Sequence, residues 1–394
     1  MAQQTVASPA SLALIEKLVS FDTTSRESNL ELIDFVKGYL KDLGVESLLV
    51  FDAENRKANL YATLGPQDRS GIMLSGHTDV VPVDGQAWTT DPFTVLSHAG
   101  KLFGRGTSDM KSFIAVVLAF APEIIARKLE TPIHLAFSYD EEIGCVGVRR
   151  LVEMLRDMPV KPAMCIVGEP TEMKVVIAHK GKKAFRAHVR GVESHSSLAP
   201  NAVNAVEYAA EAVAYLKGMA RRIASKGPFD DDFDIRHTTV HTGVMNGGTA
   251  LNIVPKECSF DFEFRHLPAD DPDALFAELK TYISETLEPE MQAIDPGTGF
   301  SFEALSTIPS LDAREDEDVV TFVKSIAERN DHGKVAFGTE AGLFSRHAGI
   351  PTVICGPGSI SQAHRPDEYI EHEQVVLCET FMKRLIDRLD SKVA

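Results

Sequence analysis

The chain is 394 residues long, enough for two or three domains with well-buried cores, which excludes a miniprotein stapled by disulfides or metal. Charged residues make up 25% and hydrophobic ones 44%, so neither a disordered chain nor a fibrous rod fits. Lysine and arginine number 40 against 57 acidic residues, a formal charge of −17 that repels phosphate backbones and anionic membranes and argues against nucleic acid as a partner. The five cysteines (Cys145, Cys165, Cys258, Cys355, Cys378) are odd in number, widely spaced and mostly set in apolar runs, and read as reduced thiols of a cytoplasmic protein. No signal-peptide pattern and no uncharged apolar stretch of eighteen residues is present, so no membrane span is expected.

In chain order, Ser8-Pro9 predicts an N-cap and first-turn proline opening an amphipathic helix. Ser28 and Glu31 have capping-box spacing before a helical pattern that stops at Gly44. Apolar runs predict strands over 71–75, 133–138 and 163–167, with a long amphipathic helix over 111–129 between the first two. That alternation is an α/β layout around a central, largely buried sheet. From Gly181 the texture changes to a strand (184–189), a helix (201–225), two strands (238–244 and 257–266), a helix (271–287) and a strand (300–305). The order βαββαβ is that of a small two-layer, ferredoxin-like domain. In its third strand Cys258, Phe260, Phe262 and Phe264 alternate with Ser259, Asp261, Glu263 and Arg265, giving one apolar and one charged face. After Pro309 the α/β texture returns, with a helix over 317–329 and a strand over 351–355. The simplest reading is a discontinuous α/β domain (1–180 and 308–394) with a second domain (181–307) inserted in it.

Functional groups of open α/β sheets collect beyond the carboxyl ends of the strands. Here each exit presents imidazole or carboxylate: His77 and Asp79 after the first run, Asp140-Glu141-Glu142 after the second, Glu169 after the third, and a glycine-rich loop reaching His364 after the last. Asp109 lies in a glycine-flanked loop just before the long helix. Taken singly, each has an ordinary structural reading as a turn, cap or hydrogen-bonded core residue. Together they are two histidines and three carboxylates, the mixed nitrogen and oxygen set that suits zinc or a similar divalent ion, and five ligands suggest two ions sharing one carboxylate. Two divalent cations against three carboxylates leave one positive charge, which favours deprotonated water near neutral pH.

Ser75-Gly-His-Thr-Asp-Val-Val-Pro82, Gly104-Arg-Gly-Thr-Ser-Asp-Met-Lys111, Asp140-Glu-Glu-Ile-Gly144, Gly168-Glu-Pro-Thr171, Gly191-Val-Glu-Ser-His-Ser-Ser197 and Gly356-Pro-Gly-Ser-Ile-Ser-Gln-Ala-His-Arg-Pro-Asp-Glu-Tyr369 resemble the motifs of the M20 metallopeptidase and deacylase family. The resemblance spans nearly the whole chain. It implies a zinc-peptidase-like catalytic domain with a mixed, largely parallel sheet, and an inserted domain that serves as lid and dimerisation surface. It also implies two zinc ions per chain, with cobalt as an alternative: His77, Asp109 and Glu169 on one, Asp109, Glu142 and His364 on the other, and a cis peptide at Asp109-Met110. Ser112 stands where relatives usually carry glycine, a departure of small expected consequence in a first helical turn. The expected reaction is amide hydrolysis of a small N-acyl amino acid. Glu141 would be the general acid and base, and Asp79 a residue orienting His77, with a turn-capping aspartate as its alternative. His195 would stabilise the oxyanion from the partner subunit of a homodimer built through 181–307. Arg265 would grip the substrate carboxylate, with a structural salt bridge as its alternative. Asn252 would touch substrate, and Glu340, in Gly338-Thr-Glu-Ala341, would read a side-chain ammonium.

Overall fold

The computed structural model describes residues 6–390 and divides into two compact units. Unit 1 comprises Met1–Ala178, Leu311–Gly333 and Thr339–Ala394, and unit 2 comprises His179–Ser310 and Lys334–Gly338. The short return of 334–338 to unit 2 is a crossing that the sequence pattern does not announce.

Unit 1 is built on a mixed sheet whose centre is parallel. Its strands run in the order Ser47–Phe51, Ala58–Leu64, Ile133–Ser138, Ile72–His77, Met164–Pro170, Thr352–Gly356, Val176–His179 and Leu311–Asp312. Ile72–His77 lies parallel to both of its neighbours, and Thr352–Gly356 is parallel to Met164–Pro170. Ile72–His77 and Ile133–Ser138 are buried at every position, as strands covered on both faces must be.

The helix Lys111–Arg127 corrects the expectation of an amphipathic element. It is buried almost all round because it lies on the sheet and is itself covered by the helices Pro9–Val19 and His372–Leu389. Pro9–Val19 starts as its sequence predicts, with Ser8 Oγ accepting the Ser11 amide. The next helix does not. It spans Leu30–Asp42 with Asn29 at the cap, and Asn29 is pulled inward to bond Ala58 and Thr78 instead of capping. Ser28, the expected cap, accepts from the Leu30 amide and donates to the Arg56 carbonyl, so its hydroxyl fastens a neighbouring loop.

Unit 2 carries a four-stranded antiparallel sheet in the order Thr239–Gly247, Glu257–His266, Gly181–Arg190, Gly299–Ile308. Phe185, Ala187 and Val189 join Phe260, Phe262 and Phe264 on one face, where Ala209, Ala212, Leu216, Leu279 and Ile283 from the helices cover them. Two helix boundaries depart from the sequence pattern. Ala205–Lys226 begins after Asn204, whose side chain accepts the Val206 and Glu207 amides, while 196–201 forms a separate tight 3₁₀ stretch. The second helix runs Pro272–Tyr282, loosens to π pitch over Ile283–Leu287 and resumes as Glu288–Ile294, where Pro289 has no amide hydrogen to donate.

Within unit 1, His134 Nδ1 lies within hydrogen-bond distance of the Tyr61 and Thr63 hydroxyls, while its buried Nε2 has no hydrogen-bond partner among the described residues. Burial pulls its imidazole down to about 4. Because the folded value lies below the ordinary 6.5, His134 stays neutral in the folded chain while the unfolded chain takes up a proton. Stability from this group is therefore complete above pH 6.5 and lost as pH falls toward 4, by ~3 kcal/mol in total. Urea unfolding at pH 7 and pH 4.5 is expected to show a smaller acid-induced loss in His134→Phe than in the parent protein. An equal loss in the two would contradict this account.

Candidate metal centre

The parallel register brings the carboxyl ends of four strands to one edge of the sheet. His77 is the last residue of its strand, Asp140 to Glu142 follow Ser138, Glu169 occupies the closing rungs of its strand, and His364 comes from the loop beyond Gly356. Glu169 thus sits inside Met164–Pro170 rather than after it, because Pro170 still pairs with Gly356 across a register shift. Asp109 arrives on the loop that ends at the helix Lys111–Arg127, and its peptide bond to Met110 is cis.

The five predicted ligands converge. Asp109 turns one oxygen to each imidazole: Oδ1 lies 3.1 Å from His77 Nε2, and Oδ2 lies 3.3 Å from His364 Nε2. Glu169 Oε1 is 4.0 Å from His77 Nε2, and Glu142 Oε2 is 3.1 Å from His364 Nε2. Glu142 Oε1 and Glu169 Oε1 are buried without a hydrogen-bond partner among the described residues. Leaving two carboxylate oxygens dry and unpartnered is costly, and a divalent cation is a natural remedy where imidazole nitrogens stand beside them. The donor set fits a pair of ions, with Asp109 common to both. Glu141, expected to stay free, also offers an oxygen within 4.8 Å of donor atoms of His77 and Glu169.

The electrostatics follow from burial and crowding. Burial, reinforced by Glu142 and Asp79, pushes Glu141 up to about 8, and burial with Asp109 pushes Glu142 up to about 7. Glu169 is raised well above the usual carboxylate range by burial and by Asp109 and Glu141. Asp109 moves the other way: burial opposes its charge, but the hydrogen bonds from His364 and His77 outweigh it and hold the carboxyl well below its ordinary value. Hydrogen bonds to Asp109 and Glu142 lift His364 to about 10.

Asp79 meets His77 more closely with its main chain than with its carboxylate. His77 Nδ1 meets the backbone carbonyl of Asp79 at 2.8 Å, whereas the carboxylate stands 3.6 Å away. The Asp79 carboxylate instead accepts the amides of Glu141 and Glu142 and the hydroxyl of Ser25. One residue therefore orients the imidazole with its main chain and the glutamate pair with its side chain. Lys57 Nζ braces the same loop, donating to Asp140 Oδ1 at 2.6 Å and to the Ser25 carbonyl. Cys145 donates its thiol to Glu141 Oε1 at 3.2 Å.

Residues 73–388 match the sequence pattern of peptidase family M20/M25/M40. The chain belongs to this family. It is 33% identical over 383 residues to an acetylornithine deacetylase of Myxococcus xanthus, covering 96% of this chain and 97% of that protein. It is 34% identical to the acetylornithine deacetylase of Yersinia pseudotuberculosis serotype O:1b (strain IP 31758), covering 93% and 92%. Among solved structures it is similar to the aminopeptidase PepT of Bacillus cereus ATCC 10987, with a TM-score of 0.75, 22% identity and coverage of 98% of this chain and 100% of that one. The M20 metallo-carboxypeptidase Sso-CP2 of Sulfolobus solfataricus superposes with a TM-score of 0.73 at 18% identity, covering 97% and 100%. Membership in M20 makes the chain a hydrolase acting on an amide bond.

Other residues singled out from this M20 chain fall in distinct places. Glu340 is fully buried, with its two oxygens accepting the hydroxyls of Ser75 at 2.6 Å and Ser138 at 2.7 Å. A carboxylate so enclosed and so occupied does not present itself to a ligand, which corrects its expected part in reading an ammonium. Its work is to tie together the two strands that deliver His77 and Asp140. In unit 2, His195 is exposed, with Nδ1 beside the Ser197 hydroxyl, and a two-rung ladder places it opposite Ile253, next to Asn252. Arg265 makes the salt bridge weighed as its alternative, with Nε 2.9 Å from Glu263. Ser112, where glycine was usual, donates to the Thr107 carbonyl at 2.5 Å and fastens the Asp109 loop to its helix. Ser25, Lys57, Arg105 and Glu368 were not singled out for any role. The only signal for the last two was that each lay within a motif already quoted.

Two glycines hold Glu169 in place by being small. A Cβ on Gly356 would sit 2.0 Å from the Gly168 carbonyl oxygen and 2.6 Å from that of Glu169, and one on Gly168 would sit 2.1 Å from the ring of Phe113. Gly356→Ala is therefore expected to lower the unfolding free energy by about 1–3 kcal/mol or more, read as a lower urea midpoint at unchanged slope. Parent-like stability would show that the strands can part at no cost.

Proposed function

We propose that this chain removes the acetyl group from N2-acetyl-L-ornithine, giving L-ornithine and acetate, as a dizinc enzyme of arginine synthesis in the cytoplasm. The observation that carries the chemistry is the placement of the two Asp109 oxygens, one toward each histidine, with an unpartnered oxygen of Glu142 and of Glu169 beside them. The substrate rests on the acetylornithine deacetylases that match 93–96% of this chain at 33–34% identity.

His77, Asp109 and Glu169 would hold one zinc ion and Asp109, Glu142 and His364 the other, with cobalt as a substitute. Such a pair supplies Lewis acidity and lowers the pKa of water. Glu141 takes the proton of the attacking water on its carboxylate and returns it to the departing amine nitrogen. The Cys145 thiol on Oε1 together with the Asp79 bond to its amide fixes its direction. His195 contributes a donor for the oxyanion from the second subunit of a homodimer formed through 181–307, and Asn252 beside it touches substrate. Arg265 grips the α-carboxylate with its outer nitrogens while Nε stays on Glu263.

Turnover by zinc-loaded protein is expected to give the highest kcat/KM on N2-acetyl-L-ornithine within a panel that also holds N-succinyl-diaminopimelate, other N-acyl amino acids and dipeptides. A higher value on any of those would reassign the substrate while leaving the amide chemistry standing. Glu141→Ala is expected to lower kcat by about 10²–10⁴-fold with both ions retained by metal analysis. A variant that kept parental turnover would remove Glu141 from the proton path.

A further inference from the structure

The loop that presents Asp109 is wrapped around a buried carboxylate that the reaction scheme does not use. Glu368 is 1% exposed, and its Oε1 accepts three main-chain amides, from Gly106 at 3.1 Å, Ser108 at 2.8 Å and Asp109 at 3.1 Å. Its Oε2 accepts Arg105 Nη1 at 2.6 Å, and its own carbonyl takes the Gly104 amide. Arg105 is equally buried and continues to the Gln86 side chain. Convergence of three amides on one oxygen needs a tightly folded loop, and Gly104 and Gly106 supply it with φ of 155° and 85°. A side chain at Gly106 would meet Val80 at 2.9 Å as well as adopting that backbone angle.

Glu368 also stands four residues after His364, in the segment that carries the second imidazole. A second tie runs alongside: the Ser108 hydroxyl donates to the Ser359 carbonyl and accepts the Ser359 amide. The shared ligand Asp109 and the ligand His364 thus belong to two loops stitched together by one carboxylate.

We propose that Glu368 is a positioning residue for the metal centre: by gathering the amides of 106, 108 and 109 onto one oxygen, it sets the spacing between Asp109 and His364. The inference rests on the dinuclear reading above. A carboxylate is needed because one group must serve a guanidinium and three amides at once. In Glu368→Gln the amide oxygen can still accept, but its NH₂ group then faces the Arg105 guanidinium, donor against donor, and the loop has to shift. Metal ligands tolerate little displacement, and loss of such supporting contacts typically weakens metal binding 10–100-fold.

The test uses full-length protein stripped of metal and titrated with Zn²⁺ or Co²⁺ alone, read by calorimetry and by the visible spectrum of the cobalt form. Glu368→Gln is expected to bind about 10–100-fold more weakly than the parent and to show an altered cobalt spectrum. The double variant Arg105→Met with Glu368→Met removes the stranded guanidinium and leaves the three amides without their acceptor, so its metal affinity should stay low; it carries the same test if the single variant does not fold. Parental affinity and spectrum in Glu368→Gln would overturn the proposal. So would affinity that returns together with stability in the double variant, since the carboxylate would then serve only to neutralise Arg105. If the parent protein itself takes up no ions, the dinuclear reading fails first, and the role of Glu368 falls with it.

Discussion

Everything in unit 1 has to accommodate four carboxylates held in one buried place. Oxygens of Asp109 and Glu142 lie within 4.8 Å of each other, as do those of Glu141 and Glu169. At an effective dielectric of 20, two like charges at 4 Å repel by roughly 4 kcal/mol, comparable with the entire stability of many domains. Such a cluster survives only if the main chain holds each member where it is. Burial and then mutual repulsion raise Glu141, Glu142 and Glu169, whereas the hydrogen bonds from His364 and His77 hold Asp109 low and make it the favoured anion.

The holding is done chiefly by backbone groups. Asp79 collects two successive amides of the glutamate pair, Glu368 collects three from the Asp109 loop, and Glu340 joins the hydroxyls of two adjacent strands. Each of these anchors is itself a carboxylate, fully or almost fully buried. The arrangement therefore adds negative charge around a cluster already rich in it, which makes sense only where cations are also part of the balance; Arg105 beside Glu368 and Lys57 beside Asp140 provide two of them. Close packing completes the restraint on Glu169: a side chain at Gly356 would part the strands, and one at Gly168 would push Phe113 and its helix off the sheet.

The strand exits were legible because they combine two independent signals, a run of apolar residues and an abrupt charged or imidazole-bearing end. His77, Glu142, Glu169 and His364 are all of this kind, and Asp109 stands out by its flanking glycines. What failed to show was decided by tertiary surroundings. Glu340 reads as an exposed acid in its motif, yet the serines that enclose it come from strands more than 200 residues away in sequence. Asn29 follows a better-looking cap in Ser28, but buried partners at Ala58 and Thr78 claim its side chain. The helix Lys111–Arg127 reads as one-faced because its covering helices lie at opposite ends of the chain. Helix ends in unit 2 slipped by several residues where Asn204 capped in place of a residue at 201 and where Pro289 interrupted the ladder.

The charged face of the unit 2 sheet bears on what Arg265 can do. Arg186 is paired with Asp261 through two hydrogen bonds, and His188 stands 3.7 Å from Glu303. The row across Lys182, Glu263 and Arg265 is not balanced in this way: Glu263 accepts Arg265 at 2.9 Å and has Lys182 at 3.6 Å, so two cations share one carboxylate. A surplus positive charge on a partly exposed sheet face is favourable to an anionic group, and a guanidinium already fixed at Nε loses less freedom on engaging one with its remaining nitrogens. Glu263 therefore fixes Arg265 at Nε while one carboxylate serves two cations, which leaves the row of Lys182, Glu263 and Arg265 with a net positive charge.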